Sequence, residues 1–181
     1  AATEGAVRAS VERGEIDAVI LNPTHILGPG DRHNWAQMFI IIDQGKLLGA
    51  PPGTGAFADV REVAAAHIAA WRGGRSGESY ILGHENLSYE EAFSLMASVM
   101  NVPAPRWPVP AALARIYGAV CDWQARLRQR PAKLNSAMAA VANDGHYFCV
   151  EKARAELGLP QTPIEQAVAE AFAWFKAHQY V

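Results

Sequence analysis

The chain has 181 residues, half of them hydrophobic, and a formal net charge of −2. That length suits one domain of ordinary size or a large piece of a bigger one, and the apolar content is enough to bury a core, which excludes a disordered chain. The near-neutral charge gives no field that would gather nucleic acid or anionic lipid.

Residues 1–13 are Ala-rich, with Val7 and Val11 at i,i+4 spacing, and predict a helix. No N-cap residue precedes it, so the chain is expected to begin inside a helix. Gly14 permits a turn. Residues 16–21 predict a strand whose apolar residues run together, as in a parallel sheet covered on both faces. Pro23 forces Asn22 out of helical geometry and is expected to end that strand. Gly28, Pro29 and Gly30 make a loop before a helix over 34–44, and a Pro/Gly-rich loop occupies 48–55. The run 38–42 is apolar but far too short to span a bilayer.

Asp59 and Glu62 have the spacing of a capping box and predict a helix to about residue 71. Residues 79–82 predict a short strand. Ser88 and Glu91 form a second capping box with Leu87 as its hydrophobic staple. The helix that follows buries Phe93, Met96, Val99 and Met100. Pro103, Pro105, Pro108 and Pro110 mark an extended linker. Helices are expected over 111–128 and 133–141, the first ending in cations (Arg126, Arg128, with Arg130 and Lys133 beyond) that face its dipole. Tyr147 and Phe148 are expected to be extended, and residues 151–157 to form a helix ended by Gly158. Thr162-Pro163-Ile164-Glu165 opens the last helix with proline at its first position, and Ile164, Val168, Phe172 and Phe175 form its buried stripe. Helices outnumber the two or three convincing strands, too few to flank a doubly covered parallel strand.

A ligand in an open α/β sheet sits at the carboxyl ends of the strands, where Asn22, Pro23 and Thr24 lie. Pro23 stiffens the chain so that backbone groups can face a ring carboxamide, and Thr24 offers a hydroxyl to a phosphate oxygen. From spacing alone, a plain strand end followed by a turn is the simpler account. The six histidines show no metal-ligand spacing. His67 reads as a hydrogen-bonded packing residue, Asp59 as a helix cap, and Glu90-Glu91 as charges at a helix N-terminus. Cys121 and Cys149 make neither a disulfide framework nor a zinc pattern, as expected of reduced thiols in a cytoplasmic protein.

Asn22-Pro23-Thr24 with Gly28-Pro29-Gly30-Asp31 resembles the N-P-[ST]-x-x-x-G-P-G-D stretch of extended short-chain dehydrogenases/reductases. More narrowly, it is similar to the dihydroflavonol-4-reductase-like branch of the NAD-dependent epimerase/dehydratase family. The likeness continues through Phe57-Ala58-Asp59-Val60-Arg61-Glu62-Val63-Ala64-Ala65-Ala66-His67 and Tyr80-Ile81-Leu82-Gly83-His84-Glu85-Asn86-Leu87-Ser88. It closes with Lys152-Ala153-Arg154-Ala155-Glu156-Leu157-Gly158 and Trp174-Phe175.

The resemblance implies an α/β fold: the C-terminal portion of a Rossmann-type extended enzyme, with late parallel strands and a mostly helical substrate-binding lobe. The late Rossmann elements would occupy about 1–31 and 57–83, the substrate lobe about 32–56 and 84–181. Glu4 fits the Glu that follows the family's catalytic Tyr-x-x-x-Lys, which places that Lys just before Ala1. The Gly-rich phosphate turn, the catalytic Ser/Thr and the Tyr/Lys pair are absent, so no catalytic residue is assigned and the chain alone is expected to be inactive. By the same likeness the cofactor is NAD or NADP, met by Pro23, Thr24 and Asn22. His25, Ile26 and Leu27 would line the cleft near the reacting carbon, and His33, Asn34 and Trp35 would face substrate.

Gly55-Ala56-Phe57 lacks the Arg with which sugar-nucleotide epimerases bind a diphosphate, which favours a reductase acting on a ketone or alcohol. The alternatives are a sugar or sugar-nucleotide epimerase/dehydratase and a non-catalytic NAD(P)-sensing or scaffold protein. Expected partners are a small-molecule substrate and, along an open sheet edge, the missing N-terminal half or another copy; no nucleic acid, membrane or metal is expected.

Overall fold

A computed structural model describes residues 2–47, 49–105, 107–128, 140 and 142–181. In chain order the elements are α1 (Ala2–Glu12), β1 (Ile20–Pro23), β2 (His25–Leu27), α2 (Trp35–Asp43), β3 (Gly49–Ala50), β4 (Thr54–Asp59) and α3 (Val60–Gly73). There follow β5 (Ser79–Leu82), β6 (Glu85–Ser88), α4 (Tyr89–Met100), β7 (Trp107–Pro108), α5 (Ala111–Arg128), α6 (Glu151–Leu157) and α7 (Ile164–Ala177). The mixed α/β architecture with parallel, Rossmann-like strand pairs and a helical region agrees with expectation. The helix expected over 133–141 falls almost wholly outside the described residues, as do the side chains of Arg126, Arg128, Arg130 and Lys133.

The strands form three small sheets. β1 runs parallel to β5, from Ile20 opposite Ser79 to Pro23 opposite Leu82. β4 lies between β2, which is parallel to it, and β6, which is antiparallel. β3 pairs in parallel with β7. Seven strands among the described residues exceed the two or three expected. Of the unforeseen ones, β2, β3, β6 and β7 are two to four residues long, too short for a period to register, and the six-residue β4 is buried along nearly its whole length and so shows no alternation.

Pro23 does not stop β1 short; it is the strand's last paired residue. Ile20 and Thr24 donate their N–H groups to Glu78 and Leu82 of the neighbouring segment, so alternate residues, Pro23 among them, point their nitrogens to the other edge. That edge has no strand among the described residues, and a proline loses no ladder bond there. The strand also begins later than residue 16, because its partner starts opposite Ile20, and Ile16 is 45% exposed.

Local signals set the helix starts. The Ser88–Glu91 capping box forms in full. Asp59 caps α3 by accepting from the Arg61 N–H at 2.7 Å, but Glu62 does not complete a box. Its carboxylate accepts from the Thr162 N–H instead. Pro163 occupies the N-cap of α7, one position before the first helical residue. Gly158 ends α6 in the left-handed region with φ +63°. Residues 147–148 are irregular rather than paired; the Asn86 side chain holds both backbone groups of Phe148. His67 bonds the Val63 carbonyl at 2.7 Å, yet its ring lies at the surface and packs no core.

Two cores result. One gathers Phe39, Phe57, Phe93, Met96, Val168 and Phe175 from α2, β4, α4 and α7. The other joins Val63 and Ala66 of α3 to Tyr80 and Leu82 of β5 and Ala153 of α6. Polar groups fasten α6 onto β5. Lys152 Nζ meets Glu78 at 2.5 Å and the Ser79 carbonyl at 3.0 Å, and the buried Tyr80 hydroxyl donates to Glu156 at 2.7 Å.

Candidate functional site

β1 and β5 end side by side at Pro23 and Leu82, and Thr24 carries the chain from that sheet into β2. The Thr24 N–H and hydroxyl both donate to the Leu82 carbonyl, at 2.9 and 3.1 Å. The hydroxyl proton is thereby engaged, and the oxygen's lone pairs remain for an incoming donor. Gly83 follows at the end of β5. A Cβ there would lie 2.9 Å from Thr24 Oγ1, so only glycine keeps this corner open.

Asn22 contributes differently from the expectation. Its amide donates to Glu4 of α1 at 3.1 Å and to Ser79 Oγ at 2.9 Å, which fixes α1 against the strand pair. Its side chain orients the Pro23 segment. Pro23, Thr24 and Gly83 thus line an open corner at the carboxyl ends of β1 and β5, while a Gly-rich turn that would hold a pyrophosphate does not occur in the sequence.

The six residues expected to face substrate separate into two groups. His25 and Trp35 enter an aromatic box with Phe57 and Tyr89: the His25 ring centroid lies 5.2 Å from Trp35, 5.1 Å from Phe57 and 5.8 Å from Tyr89. His25 Nε2 and the Tyr89 hydroxyl are in hydrogen-bond contact at 3.2 Å. Burial among these rings holds the His25 imidazole below its ordinary range and pushes the Tyr89 phenol up, so both are neutral near pH 7. Gly55 makes room for the box, since a Cβ on it would stand 2.5 Å from His25 Cδ2.

Ile26, Leu27, His33 and Asn34 border a separate cleft of about 450 Å³ formed by the 26–34 segment and Val60. Leu27 is 1% exposed and forms its floor from within the core, and Ile26 packs against the other core. Asp31 shapes the rim. Its carboxylate accepts from the N–H groups of His33 at 3.0 Å, Asn34 at 2.9 Å and Ala36 at 3.1 Å. Partial burial opposes its charge, but those backbone donors outweigh it and hold the carboxyl below the usual carboxylate range. Gly28 at φ +149° and Gly30 at φ +92° let the loop turn.

Sequence reasoning missed Asp31 as an anchor, Gly55 and Gly83 as spaces, and Phe57 and Tyr89 as walls. Asp31 lies four residues before Trp35, the first residue of α2, outside the N-cap position, so its anchoring of the 33–36 turn leaves no capping signal in the sequence. Neither does a close approach between β2 and β4.

No family model matches the sequence. The chain is 36% identical over 172 residues to a protein of Synechocystis sp. provisionally named dihydroflavonol 4-reductase, covering 91% of this chain and 50% of that one. Among solved structures it is similar to a nucleoside-diphosphate-sugar epimerase from Pseudomonas aeruginosa, with a TM-score of 0.78 and 25% identity over 99% of this chain and 54% of that one. It shares the fold of the UDP-glucuronic acid 4-epimerase from Bacillus cereus solved with UDP-glucuronic acid and NAD, with a TM-score of 0.66 and 16% identity over 97% of this chain and 50% of that one. The chain thus spans about half the length of the proteins it matches.

Proposed function

From this chain's membership of the extended short-chain dehydrogenase/reductase superfamily, we propose that the protein moves hydride between a nicotinamide and a carbinol or ketone carbon. The chain forms the substrate side of that site. The observation that carries this reading is the corner where β1 and β5 end together, with Thr24 and the Cβ-free Gly83 at the carboxyl ends of parallel strands.

NAD or NADP, when bound, supplies or accepts the hydride. Pro23 and Thr24 stand beside its ring, and Asn22, tied to Glu4 and Ser79, keeps them in place. The aromatic box excludes water behind them. No tyrosine of this chain has lysine four residues later, so no proton donor is assigned among its residues.

For the substrate, a sugar or sugar nucleotide is the first reading. It is supported by the likeness to the Pseudomonas epimerase and by the rim of the 26–34 cleft, where Arg32, His33 and Asn34 suit a hydroxylated, anionic ligand. A ketone reductase of dihydroflavonol type is the second. It is favoured by Gly55-Ala56-Phe57, which offers no Arg to a diphosphate, and by the Synechocystis relative.

The test is turnover by the full-length protein with NAD and NADP, using a panel of UDP- and dTDP-sugars beside a panel of cyclic ketones. Epimerised or dehydrated nucleotide sugar is expected. NADPH consumption with ketones alone transfers the assignment to the second reading. No reaction in either panel, with nicotinamide bound nonetheless, defeats both and leaves a sensing or scaffold role.

A further inference from the structure

The proton between His25 and Tyr89 decides what the aromatic box can bind. His25 Nε2 and the Tyr89 hydroxyl are 3.2 Å apart, and burial keeps both rings uncharged near pH 7. Were the proton on Nε2, the phenol would keep its own hydrogen with no acceptor, because its hydroxyl has no other partner among the described residues and Tyr89 is 6% exposed. With Tyr89 donating, both atoms are satisfied. A neutral imidazole that accepts at Nε2 carries its hydrogen on Nδ1. Tyr89 is a firmly placed donor. It opens α4 directly after the complete Ser88–Glu91 box, and its own N–H donates to the Gly53 carbonyl at 3.1 Å.

The Nδ1 hydrogen faces outward. A Cβ on Gly55 would lie 2.5 Å from His25 Cδ2 and 2.6 Å from Nε2, so Nδ1 is on the far edge of the ring. It has no partner among the described residues, and it is not sealed from solvent. The same holds for Nε1 of Trp35, whose ring centroid is 5.2 Å from that of His25. The rings in contact with His25 are Trp35, Phe57 and Tyr89, none of them charged. Two neutral N–H donors on an aromatic rim suit an uncharged oxygen beside an apolar ring face; an oxyanion would find no cation among these rings.

We propose that His25 is a specificity-determining residue of the hydride-transfer site, donating its Nδ1–H to an uncharged hydroxyl or carbonyl oxygen of the substrate, and that Tyr89 is the positioning residue that keeps the hydrogen on Nδ1. Trp35 supplies a second donor on the same rim. The inference rests on the hydride-transfer reading for the identity of that oxygen: a sugar hydroxyl under the first substrate reading, a ketone substrate's oxygen under the second.

The test begins with the imidazole nitrogens of the full-length protein, read by long-range proton–nitrogen correlation. The parent should show His25 neutral with its hydrogen on Nδ1, and Tyr89→Phe should move that hydrogen at least partly to Nε2 while circular dichroism stays unchanged. A merely structural hydroxyl would leave the tautomer alone. The protein is then titrated with UDP-glucose and, separately, with 4-chromanone, a flat cyclic ketone. At least one of the two should shift the His25 Nδ1 resonance, bind about tenfold more weakly to His25→Phe, the worth of one hydrogen bond, and lose less with Tyr89→Phe. An Nε2–H tautomer in the parent overturns the proposal whatever the variants do. So does an Nδ1 resonance that neither probe moves, or a folded His25→Phe that binds as the parent does. Shifts at His25 without turnover of any substrate would defeat the hydride-transfer reading and support the binding role; turnover with His25 unmoved would defeat this inference alone.

Discussion

Gly55 lets His25 sit where it does. The two residues come from neighbouring parallel strands, and a methyl group at 55 would collide with the imidazole at 2.5 Å from Cδ2. His25 cannot retreat, because Trp35, Phe57 and Tyr89 close the other directions. Gly55→Ala should therefore destabilise by about 1–3 kcal/mol, the cost of overpacking. The check is a denaturant melt together with the His25 ring resonances, which should shift as the ring is displaced; an unchanged melt and spectrum would show that the box has slack. The clash is local in space and distant in sequence, which is why His25 could be named in advance as a lining residue and Gly55 could not.

At the scale of elements, the contact between α6 and β5 shows how one short helix is held. The Tyr80 hydroxyl donates to Glu156 and accepts weakly from the Arg75 N–H at 3.4 Å, with the ring fully buried. Arg75 also pairs with Glu156, but its side chain is 61% exposed and solvent screens that bond. Tyr80→Phe should cost about 1 kcal/mol, a buried hydrogen bond's worth, and Arg75→Ala clearly less. Urea unfolding of the two variants side by side decides this; the reverse order would mean that the surface pair holds the helix. The Lys152-Ala153-Arg154-Ala155-Glu156-Leu157-Gly158 segment was recognisable as a motif, and α6 as a helix ended by glycine. Its job as a clamp on β5 became visible only with the two elements in contact.

For the whole molecule, two buried or half-buried carboxylates contribute to the response to acid. Asp59 is 1% exposed; burial opposes its charge, but the Arg61 guanidinium and N–H reverse that and hold its carboxyl below the usual range. Asp31 is held low by the backbone donors of the 33–36 turn, against the same opposition from burial. Between the ordinary and the lowered values the unfolded chain binds more protons than the folded one. Their stabilisation is therefore complete above about pH 4 and drains away as pH falls through the lower folded values. The melting temperature should drop on acidification below that point, and Asp59→Asn should flatten the drop. A profile as steep in the variant as in the parent would remove Asp59 from the account. Arg61 also reaches Glu170 of α7 at 2.5 Å through a separate nitrogen, and that pair survives protonation of Asp59.

The sequence by itself determined most helices, two strands in part and the likeness to extended short-chain dehydrogenases/reductases, because caps, apolar periodicity and ordered motifs act over a few neighbouring residues. Ser88 with Glu91, Gly158 and the Pro23-Thr24 corner were all readable that way. Only the tertiary structure decided that the chain changes sheets at Thr24, that Asn22 serves Glu4 and Ser79, that His25 and His33 belong to different surroundings, and that α5 turns its large apolar residues outward. Each of these depends on which distant segment lies opposite, and pairing at long sequence separation leaves no periodic mark on the residues that make it.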